Sequence, residues 1–521
     1  MKLIIVHNHF RPGGVRRVIE LALPSLVREV KPRVEEILLV GGELPDMNWL
    51  NQLERNLAGV AVSCKMEPAL GYFSEQHRPP SEITNHVRAF LSQLLPEAEV
   101  KQDVVWAHNP GLGRNLILTR ELVRHCASRR FRLILHHHDW WFDNRWQRWP
   151  EIRRAGFHSL RQVAQTVFPV AREVRLIAIN RADTGVLERR FPKQVAWLPN
   201  PAPETPLPNS KAVRRARLWL QQQTEAKAPV WLMPCRLVRR KNIAEALLLT
   251  RWLRPEAWLV TTGGVSSKDE EAYARRLENA VEKHGWRLRL AVLQGDESAK
   301  PTVPELMAAS ETILLTSLQE GFGLPYIEAV SAGKPLIARS LPNMAPDLGK
   351  FGFRFPQMYQ EVLVAPCLFD WAAEQERQRA LFALWYGRLP RACQKYVKKP
   401  QFLRLARSPK PVAFSRLTLT AQLEVLAWPA PDSFELCAPL NPILKAWRSR
   451  AETAKLDISP WPKSALKWLS GSAYGRSFSR MLNTSPPQRQ RDRASLSTQA
   501  EFLRVKLAPE NLYPLLWSTQ S

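Results

Sequence analysis

Short apolar runs alternate with stretches of helical period over the first 340 residues of the chain. KLIIV, VEEILLVGG, DVVWAH, FRLILHHHD and VRLIAIN read as strands, each a compact aliphatic block bounded by polar or turn-forming residues. After Val15, the residues Val18, Ile19, Ala22 and Leu26 keep a helix period, so a helix follows the first strand. Such alternation predicts βαβ units and parallel sheets. Leu198–Pro208, LPNPAPETPLP, breaks the pattern. Proline has no amide donor and cannot continue a sheet ladder, so this segment reads as a linker. A second set of strands follows it: APVWLMP, EAWLVTTGG, RLRLAVLQG, ETILLTS and KPLIAR. The expected architecture is α/β: two Rossmann-like, doubly wound domains facing a cleft, over residues 1–198 and 209–405. A proline-rich hinge over 199–208 joins them, and no internal repeat is visible. Beyond residue 350 the periodicity weakens. AAEQERQRALFALWYGRL from Ala372 and FSRLTLTAQLEVLAW from Phe414 read as helices. After residue 430 Trp, Pro, Ser, Arg and Lys dominate, and residues 406–521 read as a basic, helical C-terminal extension.

Composition narrows this picture. A hydrophobic content of 45% in 521 residues supports two or three folded domains rather than a disordered chain. No run approaches the length of a membrane span. MKLIIVHNHF returns to polar residues too soon for a signal-peptide core, so it reads as a first strand. The cysteines, at 64, 126, 235, 367, 393 and 437, form no CxxC pair. They read as free thiols of a cytoplasmic protein. The net charge of +27 points to an anionic partner: phosphate, nucleic acid or a membrane surface. Residues 351–521 carry 25 Lys and Arg against 12 Asp and Glu. There Trp447, Trp461 and Trp468 interleave with Arg448, Arg450, Lys463 and Lys467. Two readings of that tail stand: a helical subdomain packed by its tryptophans, or a weak, reversible contact with the anionic inner face of a membrane.

In open α/β sheets ligands bind beyond the carboxyl ends of the strands, so the residues there are the candidates. After the first strand, Gly13 and Gly14 let a ligand approach the backbone, and the helix that follows points free amides at an anion. A plain turn would look the same. His108 follows DVVWA, and His138 and Asp139 follow RLIL. The run His136, His137, His138 suggests a metal. Adjacent strand residues point to opposite faces, however, so the three do not easily share one ion, and no metal is expected. In the second half, Arg236 and Lys241 precede a helix near Ile243 and could clamp a diphosphate, unless they belong to a solvated basic turn with Arg239 and Arg240.

The segment SLQEGFGLPYIEAVSAGKP, Ser317–Pro335, is more demanding. ETILLTS is a strand, so Glu320 lies just past its end. Gly321 and Gly323 allow a tight loop, Pro325 suits a first helical turn, and Glu328 falls near that turn. A ligand with an anionic centre and hydroxyls at both ends would use all of these: hexose, diphosphate and ribose, a nucleotide-sugar. The alternative is that Glu328 only favours the helix N-terminus. The base pocket would lie near Gly263, Gly264 and LQGDES.

With these residues the chain resembles glycosyltransferase family four, of the GT-B fold. EGFGLPYIE matches that family's Glu-x7-Glu motif, RLVRRKN its phosphate-binding segment, GGVRRVIELA its N-terminal glycine loop and LPNP its hinge. The resemblance runs, with gaps, from residue 1 to about 345, and its second-domain motifs are the specific ones. It implies retaining transfer of a hexose from a nucleotide-diphosphate sugar, with no metal and no other cofactor. The acceptor would be a glycan, a lipid-linked molecule or a small molecule. The resemblance assigns Glu320 to the donor sugar hydroxyls, Glu328 to the ribose, and Arg236 and Lys241 to the diphosphate. Backbone amides of Phe322, Gly323 and Leu324 would contact sugar or phosphate, and His108 the donor sugar. FSRLTLTAQLEVL looks like the helix that often closes such proteins. Two departures affect fine geometry: Cys235 stands where the family often has glycine, and Asn-Pro follows His108.

Rivals remain at this stage. A sugar-nucleotide epimerase or a phosphorylase could use the same architecture. A phosphorylase would need a lysine for pyridoxal phosphate, and none is singled out. The charge and the nineteen tryptophans would suit a basic nucleic-acid-binding protein, but the charge is spread and no RNA-binding motif is present, so no nucleic acid is expected.

Overall fold

The computed structural model describes residues 1–57, 59–96, 103–202, 208–225, 227–265, 267–295, 299–404, 409–484 and 493–517. The chain divides into two compact units. One comprises Met1–Glu204, Arg388–Val397 and Ser464–Leu507; the other comprises Thr205–Gly387, Lys398–Lys463 and Ala508–Ser521.

The first unit is built on a seven-stranded parallel sheet: β1 (Lys2–Val6), β2 (Glu36–Gly41), β3 (Ala61–Met66), β4 (Val104–His108), β5 (Arg132–His137), β6 (Val174–Ala178) and β7 (Val195–Trp197). Their spatial order is β3-β2-β1-β4-β5-β6-β7. The order reverses between β1 and β4, where doubly wound sheets place their ligands. β1 and β4 are buried almost throughout, as expected of strands covered on both faces. Helix α1 (Gly14–Glu29) follows β1 and buries Val18, Ile19, Ala22 and Leu26, the residues of the helical period.

The second unit repeats the plan with β8 (Val230–Met233), β9 (Trp258–Thr261), β10 (Leu288–Arg289), β11 (Thr312–Leu315), β12 (Leu336–Arg339) and β13 (Gln357–Tyr359). The order is β10-β9-β8-β11-β12-β13, again parallel, with the reversal between β8 and β11. Helix α2 (Ile243–Leu253) is buried along nearly its whole length, and helix α3 (Leu324–Ser331) begins at Gly323.

Residues 406–521, read from the sequence as one extension, are shared between the units. FSRLTLTAQLEVL contributes the helix Leu419–Ala427 to the second unit, where Leu419, Ala421, Val425 and Leu426 join its core. The segment that returns to the first unit lies further on. There α4 (Gly471–Asn483) puts Tyr474, Phe478, Met481 and Leu482 into one core with Leu3, Ile19 and Trp106. Gly475 makes this contact close: a Cβ there would lie 2.8 Å from the Ser25 carbonyl oxygen.

Of the tail tryptophans Trp447 is buried, and Trp461 and Trp468 are partly buried. Trp447 is in the second unit's core, Trp461 stands edge-on to Phe353 with ring centroids 5.4 Å apart, and Trp468 meets Trp197 at 5.2 Å. Among the described residues no helix is long and apolar enough to cross a membrane. All six cysteines are free. Of the expected hinge, residues 203–207 lie outside the described residues.

Candidate active site

In the second unit, three strand ends bring the expected residues together. β11 ends at Leu315, and the chain continues through Thr316 and Ser317 to Glu320. The Thr316 hydroxyl donates to the carbonyls of Lys241 and Asn242, 3.0 Å each, and the Leu318 amide donates to the Arg240 carbonyl at 2.7 Å. These bonds tie the loop after β11 to the short helical turn Arg239–Lys241 that follows β8. Its side chains then diverge. Arg239 turns away and pairs with both carboxylate oxygens of Glu270, at 3.0 and 3.2 Å. Arg240 meets Glu320 Oε2 at 3.1 Å, and Lys241 Nζ donates to Glu320 Oε1.

Glu320 and Lys241 are each 11% exposed at the side chain. Burial alone would raise the Glu320 pKa, but Lys241 and Arg240 outweigh it and hold it at about 2. The carboxylate is therefore an ionised acceptor at neutral pH. Asn343 Nδ2 donates to the Glu320 carbonyl at 2.7 Å and fixes the backbone there. Arg240 and Asn343 were not singled out in the sequence. A run of Arg239, Arg240 and Lys241 does not reveal which of them faces the carboxylate, and Asn343 carries no pattern at all.

The glycine loop is as tight as its composition suggests. Gly323 has φ +81° and caps α3, and a Cβ there would lie 2.2 Å from Met344 Sδ. Phe322 is buried, and Leu324 opens the helix with Pro325 behind it. Glu328 is the fifth residue of α3, in its second turn rather than its first, and is partly exposed. Its being there has no N-terminal capping explanation, since capping interactions concern the first turn.

Arg236 is exposed just past β8 and lies against Gly263, whose Cβ would fall 3.2 Å from Arg236 Cγ. Gly264 faces Gln294 at 2.6 Å by the same measure, so both glycines permit close packing after β9. Of LQGDES, residues 296–298 lie outside the described residues. Cys235 is buried, and burial pushes its thiol up to about 12, so it is an inert filler.

In the first unit, Gly13 is extended and Gly14 would have open space around a Cβ. Packing does not require a glycine at position 14. His108 and His138 come together, with Nδ1 of the first 3.0 Å from Nε2 of the second. Asp139 meets Arg145 at 3.3 Å. The three consecutive histidines divide between two faces, as their alternation predicts. His136 and His138, two apart, share one face, and β4–β5 pairing sets His108 opposite His136. His137 points away and stacks on Trp140, with centroids 4.3 Å apart.

The chain is similar to known proteins in sequence and in fold. Residues 218–364 match the family described as Glycosyl transferases group 1. The mannosylglucosyl-3-phosphoglycerate synthase of Petrotoga mobilis is 24% identical over 351 residues, and the match spans 65% of either chain. An E. coli structure described as trehalose-6-phosphate bound with UDP-2-fluoro glucose superposes with a TM-score of 0.50 at 14% identity, covering 94% of this chain and 100% of that one. HepE from Anabaena in complex with UDP-glucose gives 0.48 at 14% identity, over 92% and 99%. The fold is GT-B: two parallel, doubly wound sheets of seven and six strands. Residues 218–364, which hold Arg236, Lys241, Glu320 and Glu328, are the part of the chain that is similar to the Glycosyl transferases group 1 family.

Proposed function

We propose that this protein is a retaining glycosyltransferase that moves a hexose from a nucleotide-diphosphate sugar to a glycan, lipid-linked or small-molecule acceptor. One observation carries the reading: Glu320, at the end of β11, is held ionised by Lys241 and Arg240 beside the Gly323 turn and the start of α3. The matching domain over residues 218–364 and the UDP-sugars named for similar folds support the donor class.

Glu320 accepts hydroxyl hydrogens of the donor sugar, and Glu328 those of the ribose. Breaking the anomeric bond puts negative charge on the leaving diphosphate. Arg236 and Lys241 neutralise it, aided by the amides of Phe322, Gly323 and Leu324, so the leaving group needs no divalent cation. Lys241 is then shared between Glu320 and phosphate. The acceptor attacks from the face the diphosphate leaves, and that phosphate takes its proton. A double displacement is not invoked, because no side chain here is an evident nucleophile.

Incubation with UDP-, GDP- and ADP-hexoses tests this. Acceptor-dependent release of nucleoside diphosphate, with the anomeric configuration kept in the product by NMR, supports it. Conversion of the donor to its epimer without acceptor would overturn it in favour of an epimerase.

A further inference from the structure

The geometry points to a buried metal site in the first unit, formed by His108, His136 and His138 and selective for a borderline divalent ion such as Zn²⁺. The site does not rest on the glycosyltransferase reading. All three imidazoles are buried, between 0% and 9% exposed. Each offers one ring nitrogen, and those nitrogens lie within 4.8 Å of one another. Ring centroids are 4.3 Å apart for His136 and His138, 5.2 Å for His108 and His136, and 5.3 Å for His108 and His138. Tetrahedral zinc with Zn–N of about 2.0–2.1 Å needs nitrogens about 3.4 Å apart. His108 Nδ1 and His138 Nε2, at 3.0 Å, already form one such edge.

A hydrogen bond between His108 and His138 alone does not account for the cluster. It leaves both nitrogens of His136 and Nε2 of His108 buried without a partner among the described residues. Buried polar atoms are ordinarily satisfied. His136 is the telling case, since a neutral imidazole there has neither a donor nor an acceptor contact. Metal coordination gives one nitrogen of His136 a partner and uses the neutral form. The backbone is suited to the task, because β4 and β5 are paired in register at this point and a strand holds alternate residues on one face.

The test is titration of metal-free, full-length protein with Co²⁺, read by its visible d–d absorption, together with zinc content after dialysis. The expected result is one equivalent per chain with tetrahedral bands, displaced by Zn²⁺. Both should be lost in His136→Gln and in His138→Gln and kept in His137→Gln. Absence of stoichiometric uptake by folded wild-type protein, or bands of an octahedral surface complex, would overturn the proposal. So would uptake that survives His136→Gln. Because the wild-type titration decides alone, poor folding of a variant cannot rescue the idea. Nucleotide-sugar binding is measured separately and is not a readout here.

Discussion

Glu320 is the residue on which the most depends. Its carboxylate is held by two cations at one end, and the Gly323 turn follows it closely. Replacing it with glutamine removes the charge and keeps the shape. The expected outcome for Glu320→Gln, and for Lys241→Ala, is a loss of about a hundredfold or more in kcat/KM with the circular-dichroism spectrum of a folded protein. Near-normal turnover in either variant would remove that residue from the active site. The same pair predicts a pH dependence. Glu320's pKa falls from an ordinary 4.5 to about 2 on folding, so the ion pairs stabilise the protein fully above about pH 4.5. Their contribution is lost as pH falls from there towards 2. Wild-type melting temperature should therefore drop more steeply than that of Glu320→Gln across that window; parallel curves would show that the pairs contribute nothing.

Among the elements, the loop from Glu320 to α3 makes the sharpest claim. Gly323 combines a left-handed φ of +81° with a Cβ position 2.2 Å from Met344 Sδ. Gly323→Ala should cost about 1–3 kcal/mol by thermal unfolding and weaken donor binding. Adding Met344→Ala should recover part of the stability, because it relieves the contact and not the φ strain. Full recovery would mean that the backbone conformation is not the constraint. This loop was readable from the chain, since Gly-Phe-Gly-Leu-Pro can hardly be anything but a tight turn into a helix. The central strands were readable too, being continuous apolar runs. The edge strands were not. β3, AVSCKM, is largely exposed and carries serine and lysine, so no apolar block marks it. RLRLAVLQG is a strand only over Leu288–Arg289, because Ala291 takes φ +54° and ends it. The pairing of Glu320 with both Lys241 and Arg240 was hidden for a different reason. It depends on how a three-residue helical turn splays its side chains, and spacing does not encode that.

For the whole molecule, the chain's C-terminal part is the main revision. The sequence reads residues 406–521 as one basic, helical extension, since Arg, Lys and Ser obscure the period that would show where each helix packs. In fact α4 buries Tyr474, Phe478, Met481 and Leu482 in the core that also holds Leu3 and Trp106. A chain ending near residue 430 should therefore unfold its first unit and aggregate, seen as a lost melting transition; a soluble, cooperatively melting truncation would contradict this. The account as a whole rests on a nucleotide-sugar site around Glu320, and thermal shift against UDP, GDP, ADP and their sugars tests it most directly. At a hundred times its dissociation constant, one nucleotide-sugar should stabilise the wild-type protein by about 2.7 kcal/mol, and Lys241→Ala should lose most of that gain. No stabilisation by any of them, or equal stabilisation of Lys241→Ala, would contradict it.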